Sequence, residues 1–151
     1  MTSSIECHDA NQRLVIALGD PAGIGMEVTL KALADPRQPA NMPTPLLVGC
    51  RASLQKAAAN LRQHSPDPIA DPDALNIEDL PVPGGPLEPG EAGARSGEAG
   101  FRWLTRAVEL VQQQQGRALV TAPIAKHAWH DAGHRYPGQT ERLAELDGQK
   151  A

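Results

Sequence analysis

The stretch GDPAGIGMEV, residues 19–28, follows directly on the apolar run RLVIAL, residues 13–18. A short continuous apolar run bounded by turn residues reads as a buried strand, and the spacing in MEVTLKALA (26–34) as a short helix. The junction therefore predicts a strand–turn–helix unit, the opening of an α/β fold. Asp20-Pro21-Ala22-Gly23 places Asp, Pro and Gly at the first, second and last positions of a type I turn. Gly25 lets the backbone pass close to a neighbour before the helix begins. A helix N-terminus carries free N–H groups and partial positive charge, so the loop is either a cradle for phosphate or carboxylate or a turn that only packs strand on helix. Spacing leaves both open. Two nucleotide patterns are excluded: Met26-Glu27 follow Gly25 where the Walker loop needs Lys-Ser/Thr, and Val28 stands where the dinucleotide fingerprint needs a small residue.

Outward from this unit, apolar runs alternate with helical periodicity. The proline-rich 35–45 is a connection, because proline removes a donor and biases the preceding residue against helix. LLVGC (46–50) predicts a second strand, and 51–64 a helix with Leu54, Ala57, Ala58 and Leu61 on one face. Residues 65–97 are rich in Pro, Gly, Asp and Glu and read mostly as loop, partly mobile, with a short strand within ALNIED (74–79). GEAGFRWLTRAVELVQQQQ (97–115) predicts an amphipathic helix carrying Phe101, Leu104, Val108 and Val111, stopped by Gly116. RALVTAP (117–123) is a third clear strand, 124–133 a short helix ended by Gly133, and YPGQTERLAEL opens one more. Strand–helix alternation of this kind predicts a largely parallel sheet, whose ligands sit at the carboxyl ends of the strands. The two loops that leave strands with unusual chemistry are 19–25 and 121–126.

The second loop opens TAPIAKHAWHDAGHRYPGQTE (121–141). Lys126 lies in the first turn of a helix, where a cation opposes the helix dipole. An anion bound at the strand end would explain it, and so would a solvated surface lysine. His127, His130 and His134 are spaced by three and four, but Gly133 closes the helix before His134 and no carboxylate stands at ligand spacing. No metal site is assigned to this chain. Thr140 either caps the last helix or, with Gln139, offers hydrogen bonds to a ligand. Trp103, Trp129 and Tyr136 read as packing rather than stacking platforms.

Composition narrows the class. With 151 residues, 40% of them hydrophobic, the chain encloses one small core, and a net charge of −4 gives no support to nucleic-acid or anionic-membrane binding. No apolar stretch reaches the roughly 20 residues a membrane span needs. The polar MTSSIECHDANQ lacks a basic-then-apolar leader, and 1–12 read as a flexible N-terminus. Cys7 and Cys50 fit neither a disulfide framework nor a zinc pattern, so a reducing, cytoplasmic setting is expected.

GDPAGIGMEV near the N-terminus and LVTAPIAKHAWHDAGHRYPGQTERLAEL about a hundred residues on together resemble the 4-hydroxythreonine-4-phosphate dehydrogenases, NAD-dependent enzymes of pyridoxal phosphate biosynthesis. The resemblance runs from Arg13 to Leu146. It implies a fold similar to the isocitrate and isopropylmalate dehydrogenases, of which 13–151 would be the N-terminal portion with the C-terminal half missing. It further implies a small phosphorylated substrate, 4-phosphohydroxy-L-threonine, oxidised at its 3-hydroxyl and then decarboxylated. With that come NAD, a divalent cation (zinc, magnesium or cobalt) in the complete enzyme, and a homodimer. On this reading Gly19, Asp20, Gly23 and Gly25 shape the cofactor side of a cleft, and Gln139, Thr140 and Lys126 face the substrate; no catalytic residue is assigned. The family's GHTE is GQTE here, and glutamine hydrogen-bonds but does not titrate near neutrality. The family's metal-binding histidines and phosphate-binding basic residues lie in its second half, so His127, His130 and His134 do not inherit that role. A sister dehydrogenase of another phosphorylated four-carbon hydroxy acid, or a truncated non-catalytic chain, would carry the same motifs.

Overall fold

The computed structural model describes residues 10–148, so the expectation of a flexible N-terminus falls largely outside the described residues. Strand β1 (Leu14–Ala17) leads through the glycine loop into helix α1 (Gly25–Leu33). Strand β2 (Leu46–Gly49) hands over directly to α2 (Arg51–His64), whose N-cap Cys50 accepts the Ser53 N–H on its sulfur. A single 3₁₀ turn (Pro72–Ala74) precedes β3 (Asn76–Asp79). Helix α3 (Ala94–Gln112), β4 (Ala118–Thr121), α4 (Lys126–Asp131) and α5 (Gln139–Leu146) complete the order.

The sheet is four-stranded and parallel throughout, in the order β3-β2-β1-β4. The chain steps outward from β1 to β3, then returns through α3 to lay β4 on the other side of β1. Right-handed crossovers put α1 and α2 on one face and α3 on the other. The point where strand order reverses, between the carboxyl ends of β1 and β4, is where open α/β sheets bind ligands. Both central strands are apolar because both faces are covered: Val15, Leu47 and Val48 are fully buried, as are Leu30 of α1, Leu54 of α2 and Ala107 of α3.

Coverage fails at one place. On the α1 side of β4 no described element lies over the sheet, leaving a groove of about 280 Å³ between Leu14, Ile16, Val28, Leu33, Met42 and Val120. Val28 and Val120 remain 49% and 42% exposed there, and among the described residues β4 is an open sheet edge. The expected α/β architecture with a parallel sheet and flanking helices is present, and among the described residues it is left uncovered on this side.

Residues 80–93 are loop, as expected, and are held to the rest of the fold: Val82 and Leu87 are buried in the core, Gly90 N–H donates to Ala22 O at 2.8 Å, and Arg95 donates to the carbonyls of Pro83 and Gly85. Two local expectations need correction. Helix α3 begins at Ala94, three residues earlier than periodicity suggests, because the Ser96 hydroxyl accepts the Gly93 N–H and closes the first turn. The same helix ends at Gln112, and Gln114 takes the left-handed turn position (φ 61°) that Gly116 was expected to supply. Gly116 serves close packing instead: a Cβ there would lie 2.5 Å from Val15 Cγ2.

Candidate functional site

At the switch point the two loops are tied to each other. Asp20 N–H donates to Pro123 O and Ala122 N–H to Ala17 O, each at 3.0 Å. The glycines make this approach possible. A Cβ on Gly19 would stand 2.2 Å from Pro123 O, and one on Gly25 would stand 2.3 Å from Leu18 O. Gly19 also sits at φ 77°, which side chains avoid. The expected turn at 20–23 closes, with Gly23 N–H on Asp20 O at 3.0 Å. The Asp20 carboxylate turns inward, accepting from Ala22 N–H at 2.7 Å and from the Ser96 hydroxyl at 3.1 Å. Three of the four cofactor-side candidates are therefore occupied by contacts within the chain. Only Gly23, with Ile24 beside it, faces outward.

The substrate-side candidates come together across 122–140. Gly138 is the N-cap of α5, which begins at Gln139, and places Thr140 exposed in the second helical position. Thr140 is therefore not the helix cap. Lys126, first residue of α4, folds over this start: its Nζ lies 3.8 Å from where a Cβ on Gly138 would be. Among the described residues no carboxylate pairs with it within ion-pair distance. Gln139 Nε2 donates to Ala122 O at 3.3 Å, and its Oε1 is buried with no hydrogen-bond partner. A buried unpaired amide oxygen is costly, which makes this acceptor the strongest local request for a ligand donor.

Behind this start an aromatic cluster fixes α4 and α5 to α3, a grouping that residue spacing does not reveal. Phe101 stacks on His134 at 3.6 Å between ring centres and meets Trp129 edge-on. Arg142 lies over the Phe101 ring at 4.7 Å and donates to Thr105 and Glu145. The Glu145 carboxyl is held below its ordinary range by hydrogen bonds from Tyr136 and Arg142, and the Tyr136 hydroxyl is pushed up, first by that same bond and then by burial. Trp103 and Trp129 are both 1% exposed, as packing residues are.

The histidines do not converge. His134 Nε2 sits 2.6 Å from Glu98 Oε2, His130 Nε2 sits 2.9 Å from Tyr136 O, and His127 faces solvent. Among the described residues no group of three His, Cys, Asp or Glu is arranged to hold a metal ion. Nor is any described helix long and apolar enough to cross a membrane.

Comparison with known proteins gives this geometry a context. The family described as pyridoxal phosphate biosynthetic protein PdxA matches residues 41–151. A 4-hydroxythreonine-4-phosphate dehydrogenase of Synechococcus sp. (strain RCC307) is 58% identical over 136 residues, covering 90% of this chain and 40% of the relative. A D-threonate 4-phosphate dehydrogenase of Salmonella typhimurium is 36% identical, over 88% of this chain and 43% of the relative. Among solved structures, a 4-hydroxythreonine-4-phosphate dehydrogenase from Burkholderia phymatum superposes with a TM-score of 0.80 at 32% identity, covering 93% of this chain and 44% of that one. The chain spans about 40% of the length of the curated relatives it matches.

Proposed function

The chain belongs to the family of the pyridoxal phosphate biosynthetic protein PdxA, and from that premise we propose that it forms the N-terminal portion of an NAD-dependent 4-hydroxythreonine-4-phosphate dehydrogenase. The observation that carries the reading is the meeting of Lys126, Gln139 and Thr140 at the sheet's switch point, with the Gln139 acceptor unpaired. The reaction removes a hydride from the carbon bearing the 3-hydroxyl and a proton from its oxygen. NAD, when bound, accepts the hydride. The 2-amino-3-oxo acid so formed loses carbon dioxide to give 3-amino-2-oxopropyl phosphate.

In this scheme the chain's own residues bind and orient. The Lys126 ammonium meets an anionic group of the substrate, and the helix start at Gly138 adds its partial positive charge. Gln139 Oε1 accepts from a substrate hydroxyl or ammonium, and the Thr140 hydroxyl donates or accepts beside it. Glutamine moves no proton near neutrality, so position 139 positions the substrate and does not act as acid or base. The loop 19–25 shapes the cofactor-side rim, with Gly23 its outward point. The described residues do not fit a divalent cation, so its ligands belong elsewhere in a complete enzyme and no step is routed through it here. The family reading also carries a homodimer and a cytoplasmic setting.

A chimera joining residues 1–151 to the C-terminal portion of the Synechococcus relative tests the proposal. NADH formation with 4-phosphohydroxy-L-threonine is expected to exceed that with D-threonate 4-phosphate. The reverse preference would assign the chain to the sister activity. No turnover with either, from a folded chimera, would reject a dehydrogenase role for this segment.

A further inference from the structure

Helix α5 carries Gln139 and Thr140 at its start, yet burial does little to fix where that start lies. None of its eight residues is buried, and it rests on the core through Leu143, itself only partly covered. Polar tethers hold it instead. At the far end Gln112 Nε2, on α3, donates to Leu146 O at 2.9 Å. Near the start, Gln139 Nε2 reaches Ala122 O only at 3.3 Å, and the stronger tether is Arg142. It follows Gln139 by three residues and so neighbours it on the helix surface.

One guanidinium there joins three parts of the fold. Its Nη2 donates to Thr105 Oγ1 on α3 at 3.1 Å, and its Cζ lies over the Phe101 ring of the same helix, 4.7 Å from the centre. Its Nη1 donates to Glu145 Oε2 further along α5 at 2.7 Å, and at 3.4 Å to the hydroxyl of Tyr136, just before the Pro137-Gly138 turn. The side chain is 15% exposed, too enclosed for the loose pairing of a surface arginine. Its Nε is enclosed without a partner, so the face and the two Nη ends hold this posture. A planar fork that stacks and donates from both ends has no lysine equivalent. We propose that Arg142 is a positioning residue for the substrate-side site: it touches no substrate, and it sets where α5 presents Gln139 and Thr140. Its effect on turnover rests on the function proposed above; its effect on α5 does not. Without the guanidinium, α5 stays pinned at Leu146 and its start swings away from Ala122.

Hydrogen exchange of the 151-residue chain, followed by mass spectrometry, reads the placement without activity. Arg142→Met and Arg142→Lys are each expected to speed exchange within 138–146 about tenfold while 14–64 stays unchanged, and Thr105→Val to speed it by less. In the chimera, Arg142→Met is expected to raise KM for 4-phosphohydroxy-L-threonine about tenfold with kcat within about twofold. In the Thr140→Ala background the same change should cost about threefold or less, because one contact that it positions is already gone. A purely structural arginine would cost the same in both backgrounds. Gln112→Ala frees only the far end of α5 and should leave KM within about twofold. Unchanged exchange in Arg142→Met, full rescue by lysine, equal losses with and without Thr140, or an equal rise of KM in Gln112→Ala would overturn the proposal. An inactive chimera with accelerated exchange would reject the dehydrogenase reading and leave the placement of α5 by Arg142 standing.

Discussion

The loops that follow β1 and β4 meet at one point of the fold and differ in what they leave unspent. The β1 loop is the conspicuous one in sequence, yet its polar capacity is used internally: Asp20 holds Ala22 and Ser96, and Gly19 and Gly25 make room for neighbouring carbonyls. The β4 side is plainer, and among the described residues it keeps an unpaired amide oxygen at Gln139, a cation at Lys126 with no carboxylate partner and an exposed hydroxyl at Thr140. A glycine-rich turn between strand and helix is thus a packing device first. The place to look for ligand chemistry is where buried polar groups still lack partners.

The comparison breaks most readily at Gly25. Gly25→Ala drives a Cβ to 2.3 Å from Leu18 O and 2.9 Å from the Ala122 methyl, so the loops must separate. A loss of about 3 kcal/mol or more is expected, read from chemical denaturation. A near-neutral result would mean that the glycine is there for a ligand and not for packing.

Asp20 sharpens the same contrast. Asp20→Ala leaves the Ala22 N–H and the Ser96 hydroxyl short of a buried acceptor, for an expected cost of about 1–3 kcal/mol. Asp20→Asn keeps an acceptor for Ala22 and a polar partner for Ser96, and should cost about 1 kcal/mol or less. If the two variants melt alike and both lose activity in the chimera, the carboxylate is serving a ligand.

The uncovered flank of β4 makes a third case. With Val28 and Val120 exposed around the groove, the 151-residue chain is expected to bind a hydrophobic dye and to self-associate. It should reduce no NAD with 4-phosphohydroxy-L-threonine under added magnesium, zinc or cobalt, because the described residues assemble no metal-ligand group. Metal-dependent turnover by this chain would return His127, His130 and His134 to consideration as ligands. A monodisperse monomer with no dye signal would show the groove to be self-sufficient.

How far these features were readable depends on whether they are local. Helix α2 was legible to the residue, since Leu54, Ala58 and Leu61 recur on one buried face with Ser53 beside them. Strand β3 was only half legible, because it lies at the sheet edge with Asn76 and Asp79 exposed and only Ile77 and Glu78 partly covered. The start of α3 was misplaced because the decisive signal is a reciprocal bond between Gly93 and Ser96, not an apolar period. The residues of the β4-side site were legible as a cluster of polar types. Their state was not: the orphaned Gln139 oxygen exists only because its amide nitrogen is drawn to Ala122, 17 positions away in the chain.

Thr140→Ala in the chimera tests the central claim most directly, with steady-state kinetics and a thermal melt taken on the same sample. Thr140 is exposed and does not cap α5, so stability is expected to change by no more than about 0.5 kcal/mol. Loss of a substrate hydrogen bond should lower kcat/KM by the equivalent of about 0.5–1.5 kcal/mol for a neutral partner, or about 1.5–3 for a charged one. A lowered melting temperature with kcat/KM unchanged would contradict the account and return Thr140 to a purely structural role.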